Sequence, residues 1–193
     1  MAVAIERRDD TPVLVEVREG LGKGVRRVLA ALRLVMGSIF MWAFLDKMFA
    51  LGFSTGRLED GSIDFFADGA AALNGGSPTL GFLKFGSRGP VASFWQSIAG
   101  DTWLNVLFLT VLAGVGLALL LGIGLRIAAI SGSLLVLGMW SVALWPASNP
   151  VIDDHIVYAL VLVVLALTAA GSTWGLGARW SRTRLVQRFP ILK

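Results

Sequence analysis

Charged residues vanish from three long stretches of this chain. None occurs over the 24 positions from Thr102 to Leu125, the 26 from Ile127 to Ile152, or the 23 from Ile156 to Ala178. A helix needs about 20 apolar residues to cross ~30 Å of hydrocarbon, so each run is long enough to span. Backbone groups in lipid must be paired within the protein, which leaves helices or closed barrels. The runs are unbroken rather than alternating, and that excludes a barrel. A fourth apolar segment, Val28 to Leu51, spans only if it takes Arg33, Asp46 and Lys47 with it. Ionisable groups at membrane depth are costly and tend to mark function.

The pattern predicts an all-α, polytopic membrane four-helix bundle with spans at about 28–51, 103–123, 127–145 and 155–174. An extracytoplasmic cap, residues 52–101, lies between the first and second spans. The membrane domain covers 28–178, preceded by a polar segment 1–27 and followed by a basic tail 179–193. The short turn Gly122-Ile123-Gly124-Leu125-Arg126 makes the second and third spans antiparallel neighbours. The loop carries Phe65, Phe66, Leu80, Phe82, Leu83, Phe85, Phe94 and Trp95, enough apolar surface to fold. After Pro90, residues Val91, Phe94, Trp95 and Ile98 follow helical spacing, which suits a short helix on the membrane surface. Trp95, Trp103 and Trp145 are expected in an outer interfacial belt, Trp174 and Trp180 in an inner one.

Charge fixes the expected orientation. Thirteen Lys/Arg fall on the side of the termini and the Arg126 turn, against four (Lys47, Arg57, Lys84, Arg88) on the other. The positive-inside rule then places both termini in the cytoplasm and the protein in the cell membrane, multi-pass. The first 27 residues are too long and acidic for a signal-peptide n-region, so the first span reads as a retained signal anchor. The net charge of +4 flanks spans rather than marking nucleic acid; the cations face lipid headgroups. With no cysteine and one histidine, His155, the chain offers no iron–sulfur cluster, no bis-histidine haem and no His-built metal site. No resident metal is expected.

Small residues recur every four positions at Gly114, Ala118 and Gly122, with weaker versions at Ala129/Ser133 and at Ala159, Ala166 and Ala170. Such spacing lets membrane helices approach closely. Bundle packing accounts for all of them.

On a helix, Arg33, Gly37, Phe40, Phe44 and Lys47 share a face about 80° wide, and Asp46 points elsewhere. One reading is snorkelling of both cations to the headgroups; the other is a functional face. At the start of the fourth span, Asp153-Asp154-His155 is followed one turn later by Tyr158. One Asp suits an N-cap. The cluster as a whole fits either a proton relay or an ion-pair clamp in which Lys47 reaches Asp153, Asp154 or His155.

The first-span pattern Arg33…Gly37…Trp42-Ala-Phe44-Leu-Asp46-Lys47, the Gly-rich exit of the second span and the four-span length resemble the DoxX family. The loop Gly76-Ser-Pro-Thr-Leu-Gly-Phe-Leu83 and Asp153-Asp-His155 are similar to its DoxD-like branch, the small-subunit type of thiosulfate:quinone oxidoreductase. The likeness covers about residues 28–175. It implies a membrane oxidoreductase subunit that passes electrons from thiosulfate, or another reduced sulfur compound, to membrane quinone. A second oxidoreductase subunit or a sulfurtransferase is the implied partner, and a homo-oligomer is compatible with it. Lys47, Asp154, His155 and Tyr158 are then candidate catalytic residues. Arg33, Phe40, Trp42, Phe44 and Asp46 would flank the quinone. A cavity lined by the first-span aromatics is expected near the outer surface. The alternative is a non-catalytic scaffold or anchor that docks partner oxidoreductase or stress-response proteins.

Overall fold

The computed structural model describes residues 20–147 and 149–193, so most of the 1–27 segment lies outside it. Among the described residues the chain is all-helical, with no strand beyond two isolated bridges. Three helices are long and apolar enough to cross a membrane: α1 (Lys23–Phe49), α4 (Thr102–Leu121) and α5 (Leu125–Val142). Between α1 and α4 come two short helices, α2 (Leu80–Phe85) and α3 (Ala92–Ser97). A fourth apolar helix, α6 (Asp154–Leu167), has 14 residues. The chain closes with α7 (Gly177–Trp180) and α8 (Arg184–Arg188).

α1 packs on α4, α4 on α5 and α5 on α6. Met36, Phe40, Val115, Leu119, Val136 and Leu162 meet in a single buried core. The outward faces stay apolar: Val106, Ile130, Leu134, Leu160 and Leu167 are all more than half exposed. In water so continuous an apolar surface would drive aggregation. Hydrocarbon is the solvent that suits it.

Between α1 and α4 the close approaches fall on other glycines than the four-residue stripe suggested. A Cβ on Gly116 would lie 2.8 Å from the Met41 nitrogen, and one on Gly37 would lie 3.0 Å from the Leu120 nitrogen, so α1 and α4 nearly touch there. Gly114 faces open space. Between α5 and α6 the small residues do meet: Ala129 and Ala159 are buried, Ser133 donates to the Ala159 carbonyl at 3.3 Å, and Gly132 leaves room for Leu162.

The helical part of the fourth segment is shorter than the 155–174 expected. At Ala169 the backbone turns left-handed (φ 47°), and a 3-10 turn, Ala170–Ser172, follows. The break lets Gly171 settle against Gly122, where a Cβ would lie 2.1 Å from the Gly122 oxygen. It also aims the carbonyls of Thr173 and Trp174 inward.

The segment after α1 folds over the end of the bundle where α1 finishes, here termed the cap end. Asn105, near the start of α4, accepts from Ser77 Oγ at 3.0 Å and from Thr79 Oγ1 at 2.6 Å. Trp95 Nε1 donates to Ser141 Oγ at 3.1 Å, and the Arg88 N–H to the Val142 carbonyl at 2.8 Å. At the opposite end the tail returns to the turn before α5: the Arg126 N–H donates to the Lys193 carbonyl at 2.9 Å and Trp180 Nε1 to the Leu192 carbonyl at 2.6 Å.

Candidate functional site

The charges of α1 are not alike. Arg33 is fully buried at the tail end. Its Nη1 donates to the Leu119 and Leu120 carbonyls, the latter at 3.1 Å; its Nη2 donates to Thr173 at 3.4 Å and Trp174 at 2.9 Å. A helix leaves its last four carbonyls without intrahelical partners. On α4 all four are met: Ala118 by the Gly122 and Ile123 N–H groups, Leu119 and Leu120 by Arg33, Leu121 by the Leu176 N–H at 2.8 Å. The planar fork of guanidinium suits two pairs of acceptors at once. Snorkelling to headgroups is therefore excluded for Arg33. It lines neither cavity described below.

Asp46 is buried as well, at the cap end. Its Oδ1 accepts from the Phe53 N–H at 3.0 Å; its Oδ2 accepts from the Ser54 N–H at 2.9 Å and the Ser54 hydroxyl at 2.5 Å. Its main-chain carbonyl takes the Thr55 hydroxyl at 2.5 Å and the Ala50 N–H at 2.8 Å. One carboxylate thus fixes the turn by which the chain leaves α1. Lys47, its neighbour, donates to Ser54 Oγ at 3.1 Å. The result is a chain from the Lys47 ammonium through the Ser54 hydroxyl to the Asp46 carboxylate.

Lys47 and Ser54 form one end of a cavity of about 650 Å³. Its walls come from α4 (Leu104, Leu107, Phe108, Val111) and α5 (Ser131, Leu134, Gly138, Met139), and its roof from Thr79, Phe82 and Trp95. Leu107 and Leu134, both more than half exposed, open it sideways toward lipid. A shallow second groove shares Lys47 and Ser54 and adds Asp46, Trp42 and Phe53, the two rings packing edge to face with centroids 5.1 Å apart.

The cavity lies where expected along the bundle, but other residues line it. Phe40 is buried in the core and Phe44 packs against it, because their face of α1 turns toward α4. Trp42 faces the shallow groove. The aromatic walls are Phe82, Trp95 and Phe108 instead. The helical spacing around Trp95 was the only sequence signal for these, and it pointed to an interfacial belt rather than to a wall.

Asp154, His155 and Tyr158 do not line the cavity. His155 Nδ1 lies 2.8 Å from Asp153 Oδ2 and 3.6 Å from Asp154 Oδ1, and these are the ion pairs among the described residues. The expected bridge from Lys47 to this group does not form. Asp153 caps α6, its Oδ1 accepting from the His155 N–H at 3.0 Å. The two aspartates and the histidine place donor atoms within 4.8 Å of one another, but capping and the His155 contact already account for Asp153. Tyr158 packs on the core. In the cap, away from all of these, Ser62 donates its hydroxyl at 2.6 Å and its N–H at 2.9 Å to Asp60, holding that carboxyl below its usual range.

Compared with protein-family models, curated proteins and solved structures, the chain matches none.

Proposed function

We propose that this chain is a four-span, DoxX/DoxD-like subunit of a membrane oxidoreductase that holds a quinone in the cavity at its cap end. The observation that carries this reading is the cavity itself, about 650 Å³ with apolar walls and one cation. Ligand pockets commonly measure ~300–1,000 Å³, with few polar groups in a mostly apolar lining. Phe82, Trp95 and Phe108 supply flat surfaces for a ring, and the gap at Leu107 and Leu134 lets an isoprenoid chain reach lipid. Asp46, two hydrogen bonds from the Lys47 ammonium, balances its charge, so the site suits a neutral carbonyl oxygen better than an anion.

Both termini are cytoplasmic in this reading, α6 is the fourth span, and the cap lies outside, following the thirteen-to-four division of Lys/Arg. A reduced sulfur anion such as thiosulfate then arrives on the side of Arg57, Lys84 and Arg88. Joining two thiosulfates into tetrathionate releases two electrons; with two protons taken from water, these reduce the quinone to quinol. A second oxidoreductase subunit or a sulfurtransferase handles the sulfur chemistry, since this chain has no cysteine.

The scaffold alternative draws support from one observation: Arg33 and Asp46, two of the three charges that α1 carries after Val28, are spent on holding backbone together. Purification in mild detergent followed by solvent extraction separates the readings. The quinone-linked subunit yields stoichiometric quinone and, with its partner, thiosulfate-dependent quinone reduction. A scaffold yields neither.

A further inference from the structure

Among the described residues, the side-chain hydrogen-bond donors around the cavity are nearly all spoken for. Five hydroxyls line it: Ser54, Thr55, Ser77, Thr79 and Ser131. Ser54 gives its hydrogen to the Asp46 carboxylate at 2.5 Å and Thr55 to the Asp46 carbonyl at 2.5 Å. Ser77 and Thr79 both donate to Asn105 Oδ1, at 3.0 Å and 2.6 Å, and Ser131 donates back along its own helix to Ile127 at 2.9 Å. The Trp95 indole N–H goes to Ser141 Oγ at 3.1 Å. A hydroxyl has one hydrogen, and an indole has one. Lys47 has three, and its ammonium spends one on Ser54.

We infer that the cavity recognises its ligand through a single side chain, the Lys47 ammonium, and therefore selects a lipid-soluble molecule by one acceptor oxygen. This deepens the proposed function and rests on it: a para-quinone is held by one carbonyl, while its second carbonyl faces apolar wall and meets no side-chain donor. Ser54 and Asp46 act as positioning residues. Asp46 pins the 53–55 turn, the turn places Ser54 Oγ, and Ser54 Oγ holds the ammonium at the cavity end. Among the described residues no carboxylate or histidine lines the cavity, and the titratable side chains on the two pocket walls are Asp46 and Lys47.

The experiment uses the full chain in lipid nanodiscs and two probes, a decyl-substituted benzoquinone and a decyl-substituted cyclic ketone with one carbonyl. Both bind the native protein within threefold of each other. Lys47→Met weakens both by about 10- to 100-fold, the range for a hydrogen bond to a charged group, and Lys47→Arg, which keeps donors at that end, recovers most of the loss. Ser54→Ala weakens both by a smaller factor, and circular dichroism verifies that each variant stays folded. Quinone binding at least tenfold tighter than the ketone's would overturn single-point recognition and leave the quinone reading standing, as would binding by Lys47→Met at native strength. If neither probe binds, the quinone reading itself is wrong and the inference falls with it.

Discussion

Arg33 Nη2 lies 2.9 Å from the carbonyl oxygen of Trp174, joining α1 to the segment that follows α6, 141 residues later. The same guanidinium closes the end of α4. Replacing Arg33 by Leu therefore leaves the carbonyls of Leu120, Thr173 and Trp174 without a donor, while Leu119 keeps the Gly122 N–H at 3.2 Å. An unpaired buried polar group costs about 1–3 kcal/mol, so the variant should lose most of its protein from the membrane or show a sharply lower melting temperature in detergent. Arg33→Lys keeps the charge but not the fork, and should fall between the two. Native stability in Arg33→Leu would show the contacts to be incidental.

The glycines give an internal control. A methyl on Gly171 meets the Gly122 oxygen, whereas a methyl on Gly114 meets nothing. Gly171→Ala should destabilise by about 1–3 kcal/mol through overpacking. Gly114→Ala should be neutral or stabilise by up to about 1 kcal/mol, the ordinary helix preference. Thermal unfolding of the two variants in one detergent provides the comparison.

At the start of α6, Asp153→Ala removes the cap, which costs about 1 kcal/mol and should lower the melting temperature slightly. His155→Ala should leave ligand binding within twofold of native, because His155 lies on no cavity wall. A tenfold loss of binding with the protein still folded would return the histidine to the site.

Gly138 lines the cavity, and a Cβ there would meet only the Trp95 ring, at 3.8 Å. Gly138→Phe fills the space without touching backbone. Bound quinone should drop below a tenth of native in solvent extracts, with expression unchanged.

What the sequence made legible, and what it hid, follows from physical range. Four apolar segments, the tight α4–α5 turn and the short helix after Pro90 are local patterns, and the fold contains each of them. That Arg33, Gly37 and Phe40 share a face was legible too, since helical spacing decides which residues share a side, but that this face turns inward was not. Partners were not. Arg33 finds carbonyls contributed from α4 and beyond α6, and no one-dimensional pattern brings those together. Lys47 was expected to seek a carboxylate on α6, but Ser54 lies seven residues away and is placed by a turn that Asp46 itself organises. Of the Gly114, Ala118, Gly122 stripe, Gly114 faces open space while Gly122 meets Gly171, and the close approach of α1 to α4 rests on Gly37 and Gly116, which sit on different helices.

The most direct measurement is photocrosslinking of a diazirine-tagged alkyl quinone in native membranes, with the labelled peptides mapped by mass spectrometry. The account predicts adducts on residues 104–111 and 131–139, competed away by unlabelled quinone and lost in Gly138→Phe. Labelling confined to the lipid-facing surfaces of α1 and α6, unaffected by competitor and by Gly138→Phe, would contradict it.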